Sequence, residues 1–245
     1  MTHEDYKALA SELVYILAVQ NPPLAISFSK SAPAGIAVFQ EPMPAPTDDG
    51  RTGRVPAGCV FWIKAQDHTF TTTAEDHGNC SVGCVTHGLK TLEQVANNSD
   101  VKCLVEAGWV TPEAFPGIPT VKGDPTHVTY GPLYETSVKP DVVFLRLNPK
   151  QAMMLSDAMP EISFQGKPQC HIVAIAKEQN QVAISVGCML SRVRTGMSNN
   201  EMTAAIPAGR LHEVVEKLRT AAGADKDVAG YASEDSKRFG AYLGR

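Results

Sequence analysis

Positive charge is scarce in this chain and spread thinly: 22 Lys and Arg stand against 26 Asp and Glu over 245 residues, a formal net charge of -4. No Lys/Arg-dense stripe occurs, which argues against a nucleic-acid partner. No run of about eighteen apolar residues is present, so no membrane span is expected. The opening MTHEDYKALASELVYILAVQ has no basic segment leading into an apolar one, so no secretory signal is expected either. Also missing are a G-x-S-x-G elbow, a Walker loop, a G-x-G-x-x-G fingerprint and an H-E-x-x-H pair. Their absence removes the motif-bearing serine hydrolases, P-loop nucleotide enzymes, dinucleotide enzymes and zinc proteases. With 43% hydrophobic and 20% charged residues, the chain has an ordinary globular composition and the length for a proper core in one globular unit, 1–245.

What the chain does have is six cysteines. Without an export signal the expected location is the cytoplasm, a reducing compartment where thiols stay free for metals or catalysis. The densest stretch, HGNCSVGCVTHG at 77–88, holds Cys80, Cys84, His77, His87 and three glycines. Alone it is compatible with a metal site, a nucleophile or a cysteine-rich helix start. A Cys–His hydrolase built from Cys80 and His77 is a poor fit, because the two are neighbours in sequence.

Apolar period predicts a helix over the first twenty residues, and Pro22 and Pro23 end it before the strand of PLAISF. The Pro/Gly-rich stretch 31–58 reads as a long loop or lid, and 115–139 as another, carrying aromatics. CVFWIKAQDHTFTTTAED reads as two β-rich runs around a polar turn, and Val82–Asn97 as a helix. VKCLVEAGWVT suggests a short helix. The order then recurs: PDVVFLRLNP is a buried strand, KQAMMLSDAM a helix, CHIVAIAKEQNQVAISVGC two further β-rich runs, and PAGRLHEVVEKLRTA a helix. The tail from Gly223 reads as irregular or weakly helical.

Cys59 and Cys80 bracket the first paired run, 21 residues apart, and Cys170 and Cys188 bracket the second, 18 apart. This implies an α+β fold of two pseudo-repeated halves, about 1–135 and 136–245, with mixed β-sheets and flanking helices. Packed about a pseudo-twofold axis, such halves bring four thiols to one seam. Four thiolates suit a [4Fe–4S] cluster or tetrahedral zinc, and wide separation in sequence favours the cluster; thiols holding no metal remain the third alternative. Glycines beside Cys80 and Cys188 let backbone N–H groups approach cluster sulfides, or simply form turns at strand ends.

CVFWIKA, HGNCSVG, PDVVFLRLNPKQAM and SVGCMLSR followed by AAIP resemble the domain of unknown function 169 family of anaerobic bacteria and archaea. The resemblance runs from about Pro23 to Pro207. It places that family's recurrent cysteines on Cys59, Cys80, Cys170 and Cys188, and its motif positions on His77, Asn79, Gly83, Gly187 and Arg192. It implies an iron–sulfur protein without naming a reaction. Cys84 departs from the motif, leaving open which of Cys80 and Cys84 is a ligand.

Of the remaining candidates, Cys84 reads as a small buried hydrophobe, a reserve ligand or a substrate-binding thiol, and Cys103 as core packing. His87 and His171 read as structural. His77 and Tyr130 are candidate proton donors, and Arg192, followed by Arg194, is placed to orient an anionic substrate. The expected function is a cluster-dependent reductase or reductive-elimination enzyme acting on a small molecule. An electron-donor protein and a homo-oligomer are possible partners. The alternatives are a non-catalytic electron carrier or redox sensor, and a zinc-stapled structural domain.

Overall fold

The computed structural model describes residues 1–40, 58–242 and 244. In chain order the elements are α1 (His3–Leu17), β1 (Leu24–Ser29), α2 (Phe61–Lys64), β2 (Phe70–Thr73), α3 (Ser81–Thr86), α4 (Leu92–Val95), α5 (Ser99–Glu106), β3 (His127–Pro132), β4 (Val142–Leu147), α6 (Pro149–Ala158), β5 (Ser163–Gln165), α7 (His171–Gln179), β6 (Ala183–Ser185), α8 (Met189–Thr195), β7 (Met202–Pro207) and α9 (Leu211–Tyr242). Short 3-10 turns occur at Gly58–Val60, Pro112–Gly117, Leu133–Glu135 and Ala208–Arg210.

Local chemistry sets several of these starts. Thr2 and Asp5 close a reciprocal capping box on α1, and Asn148 and Gln151 do the same for α6, with Pro149 in its first turn. The strands form one seven-stranded sheet in the order β2-β3-β1-β4-β7-β6-β5, antiparallel except for the β5–β6 pair. Helices cover both faces. Val143, Leu145 and Leu147 of β4 join the cluster under α1, α6 and α9. Val142 and Phe144 point the other way, into the cluster with α2 and α7. Burial on both faces is why PDVVFLRL is almost uninterruptedly apolar. The class is α+β, as expected, with one mixed sheet shared along the chain instead of a sheet per half.

Outward from the central β1–β4 pair, the order is β1-β3-β2 on one side and β4-β7-β6 on the other, all antiparallel. Cys59, α2, β2, Cys80 and α3 follow one another in the first part as Cys170, α7, β6, Cys188 and α8 do in the second. This is a correspondence of order and position.

Several expectations need correction. The two cysteine-bracketed runs are not hairpins: in each, the first half is a helix (α2, α7) and the second a strand (β2, β6). A short continuous apolar run such as CHIVAIA has no period that separates a buried helix from a buried strand. The expected helix 82–97 breaks into α3 and α4 around Gly88. That residue has φ +70°, and a Cβ there would lie 2.2 Å from the Val121 carbonyl oxygen. The stretch 115–139 is not all loop, since it contains the interior strand β3. Gly131 of this strand admits a close neighbour, since Thr69 Oγ1 would lie 2.2 Å from any Cβ there. The tail from Gly223 is helical throughout 223–242 as part of α9, although the helix buries only Leu211, Val214, Val215 and Leu218. Most of the expected lid at 31–58 lies outside the described residues.

Candidate functional site

Cys80, Cys170 and Cys188 are the residues immediately before α3, α7 and α8, and Cys59 sits in the 3-10 turn leading into α2. These helices lie on one face of the sheet, and all four thiols line one cavity of about 30 Å³. Trp62, His87, Gln169, Ser191 and Arg194 share its wall. The six cysteines are free thiols, with Cys170 and Cys188 buried and Cys59 and Cys80 half-buried.

Burial dominates the electrostatics of these thiols. Burial raises the Cys59 thiol, against hydrogen bonding from Ser191 and the positive charge of Arg194. Burial, then the neighbouring Cys59, pushes Cys80 up to about 11, opposed by the Gly83 backbone N–H and Arg194. Cys170 is held well above the usual thiol range by burial, then by Cys80, with Cys188 and Cys59 adding to it. A helix start favours thiolate, yet at Cys59, Cys80 and Cys170 desolvation outweighs it and favours the protonated form.

Among the described residues, three buried polar atoms on the cavity wall have no partner: Trp62 Nε1, His87 Nε2 and Gln169 Oε1. The His87 ring has its other nitrogen, Nδ1, 2.8 Å from the Gly83 carbonyl. A carbonyl only accepts, so Nδ1 carries the hydrogen, and burial, which lowers this ring to a pKa of about 4, keeps it neutral. Nε2 is therefore a bare lone pair. A backbone-anchored imidazole with its far nitrogen free is the arrangement of a ligand or proton acceptor. In the sequence, the signal for His87 is its membership of the Cys/His-dense stretch 77–88.

The other candidates are placed differently. His77 is fully buried and is not on the cavity lining. Its Nε2 lies 3.1 Å from Thr72 Oγ1, whose hydroxyl donates to the Val128 carbonyl at 3.0 Å. His77 therefore donates from Nε2, and its Nδ1 faces Gly58, where a Cβ would come within 2.6 Å. Tyr130, also fully buried, packs against Phe61, Phe70 and His77, and burial holds its phenol well above the usual range. Arg192 binds the backbone carbonyls of Val186, Ser198 and Glu201, tying its guanidinium to its own loop. Arg194 is the guanidinium on the thiol cavity. Cys84 is buried, donating to the His77 carbonyl at 3.2 Å. Cys103 is exposed on α5, not core: the helix buries only Val101 and Leu104, the positions on its inner face.

Among the described residues no three His, Cys, Asp or Glu side chains are arranged to hold a single metal ion. Zinc needs four sulfurs each about 2.3 Å from one point, whereas these thiols ring a cavity. The present room of about 30 Å³ is small for a cluster core, whose binding would need the lining to widen. Cys59 and Cys80, half-buried on short turns, are placed to allow it. The donor set fits such a group: four cysteines, an indole N–H for a sulfur, a guanidinium for charge and, among the described residues, no carboxylate on the wall.

Fold and site together define a protein with a helix-covered mixed sheet that gathers four thiols from distant parts of the chain into one cavity. The chain belongs to the domain of unknown function 169 family, described as "Uncharacterised ArCR", whose model matches residues 12–217. Comparison with curated proteins and with solved structures gives no match.

Proposed function

We propose that this protein is a [4Fe–4S] cluster-binding oxidoreductase that acts on a small molecule, with Cys59, Cys80, Cys170 and Cys188 as the ligands. The observation that carries the reading is the shared cavity of four thiols drawn from positions up to 129 residues apart. When bound, such a cluster, capped by four thiolates, would supply single electrons. Arg194 would offset the negative charge of the thiolates, and the Trp62 N–H would be available to donate to a cluster sulfur. His87 Nε2 accepts a proton or a hydrogen bond at the same wall. His77 acts as a positioning residue that holds the turn bearing Cys59, and Tyr130 packs beneath it. Free thiols suit the reducing cytoplasm. Among the described residues, no helix is long and apolar enough to cross a membrane.

A neighbouring cavity of about 140 Å³, sharing Val82 and Pro168 with the thiol cavity, favours an enzyme over a carrier. The carrier reading has its own support: Val186, Met189 and Val193 are exposed beside Cys188, an apolar patch suited to an electron-donor protein. Anaerobic purification tests the proposal. A brown protein whose broad visible absorption bleaches with dithionite supports it, and a colourless protein carrying one zinc overturns it. Turnover by Val193→Glu with a chemical reductant, but not with a protein donor, would fit an enzyme served by that patch.

A further inference from the structure

The cavity beside the thiols is built for a particular kind of molecule. It is walled by Val85, Val95, Leu104, Trp109 and Phe115, and its room of about 140 Å³ is close to that of a dry engineered cavity, about 150 Å³, that takes up benzene. Its described lining contains no Asp or Glu. Lys167 stands at this wall with its ammonium 4.4 Å from the centre of the Trp109 ring, and it makes no ion pair among the described residues. His171 also lines the cavity, with Nε2 buried and without a partner. Ser81 is spoken for, since it donates to Asp100 at 2.7 Å and accepts from Asn98 at 2.8 Å.

From this combination we propose that the cavity binds a compact monocarboxylate, its apolar body no larger than one six-membered ring or a short branched chain. The body fills the space between Val95, Leu104 and Phe115. The carboxylate pairs with Lys167 and takes a hydrogen bond from His171. Charge complementarity decides the class: an amine would meet an ammonium with no acidic group to receive it, and a neutral hydrocarbon would leave Lys167 and His171 unused. Through Val82 and Pro168 the bound molecule lies one wall from the cysteines. Its role as a substrate rests on the iron–sulfur reading; its binding does not.

Benzoate is the probe, titrated by calorimetry into the full chain with and without bound iron, with toluene and benzylamine as comparators. Benzoate is expected to bind and benzylamine not to. Lys167→Met, at an exposed position, should weaken benzoate about fivefold and leave toluene unchanged. Ala114→Phe, at the exposed rim, should abolish both. Absence of benzoate binding, preference for benzylamine, or benzoate binding unchanged in both variants would overturn the inference. Benzoate binding in a protein that takes up no iron defeats the iron–sulfur reading alone, and cluster uptake without benzoate binding defeats this inference alone.

Discussion

Gly58 and His77 share one space: the glycine Cα lies so close to the imidazole that a Cβ would come within 2.6 Å of Nδ1. The ring cannot easily withdraw, because its other nitrogen is held at Thr72, itself tied to β3. Cys59 follows Gly58 directly. The imidazole thus fixes the height of the first thiol above the sheet.

Gly58→Ala should therefore lower stability by about 1–3 kcal/mol through overpacking, and displace Cys59. In a His77→Ala background the same substitution should cost clearly less, a coupling read by a double-mutant cycle in urea. Equal cost in both backgrounds would show that the ring does not set this turn.

The two arginines of α8 should separate cleanly. Arg192→Met removes the donor to three backbone carbonyls and should cost about 1–3 kcal/mol of stability, read as a fall in Tm. Gly187→Ala should do similarly, since Gly187 has φ +102° and its Cβ would meet the Arg192 guanidinium at 2.7 Å. Arg194→Met should leave the Tm nearly unchanged and instead shift the reduction potential of reconstituted protein downward, because one cation near the thiolates is lost.

Buried histidine makes the fold acid-sensitive. His87 titrates near 4 when folded and near 6.5 when unfolded. Between those values the unfolded chain binds the extra proton, so stability rises with pH there and falls as pH drops from 6.5 to 4. The span corresponds to roughly 3 kcal/mol at most. His77 is lowered in the same direction by burial, so His87→Gln should flatten the pH dependence without removing it. A curve equally steep in that variant would contradict the assignment.

The outer part of α9 contributes almost nothing to packing. Ending the chain after Ala222 keeps its four buried positions and should change unfolding free energy by no more than about 0.5 kcal/mol. A larger loss would mean that residues 223–242 are covered in solution.

Much of this organisation was legible in the chain. Amphipathic period and proline breaks located α1, β1, β4 and α6, and cysteine spacing selected the four thiols that line one cavity. Less visible was anything decided by tertiary contact. CVFWIKA and CHIVAIAK are helical because a covering layer buries them, and no period in runs that short says so. The strand of β3 was hidden by its own Gly131 and Pro132. At the site, sequence adjacency pointed to His77 and Arg192, yet His87 and Arg194 reach the thiols. One helical turn or two residues of offset decides which face a side chain takes, and composition cannot register that. Lys167 and His171, on the neighbouring cavity, become a pair only through the packing of α3 to α5 against the segment before α7.

The most direct test is iron and acid-labile sulfide analysis of anaerobically prepared protein, with each of the six cysteines changed to Ser in turn. The expected result is a cluster in the wild-type chain and in Cys84→Ser and Cys103→Ser, and loss of it in Cys59→Ser, Cys80→Ser, Cys170→Ser and Cys188→Ser. A full iron and sulfide complement in Cys170→Ser or Cys188→Ser, or none in the wild-type chain after reconstitution, would contradict a centre shared by both parts of the fold.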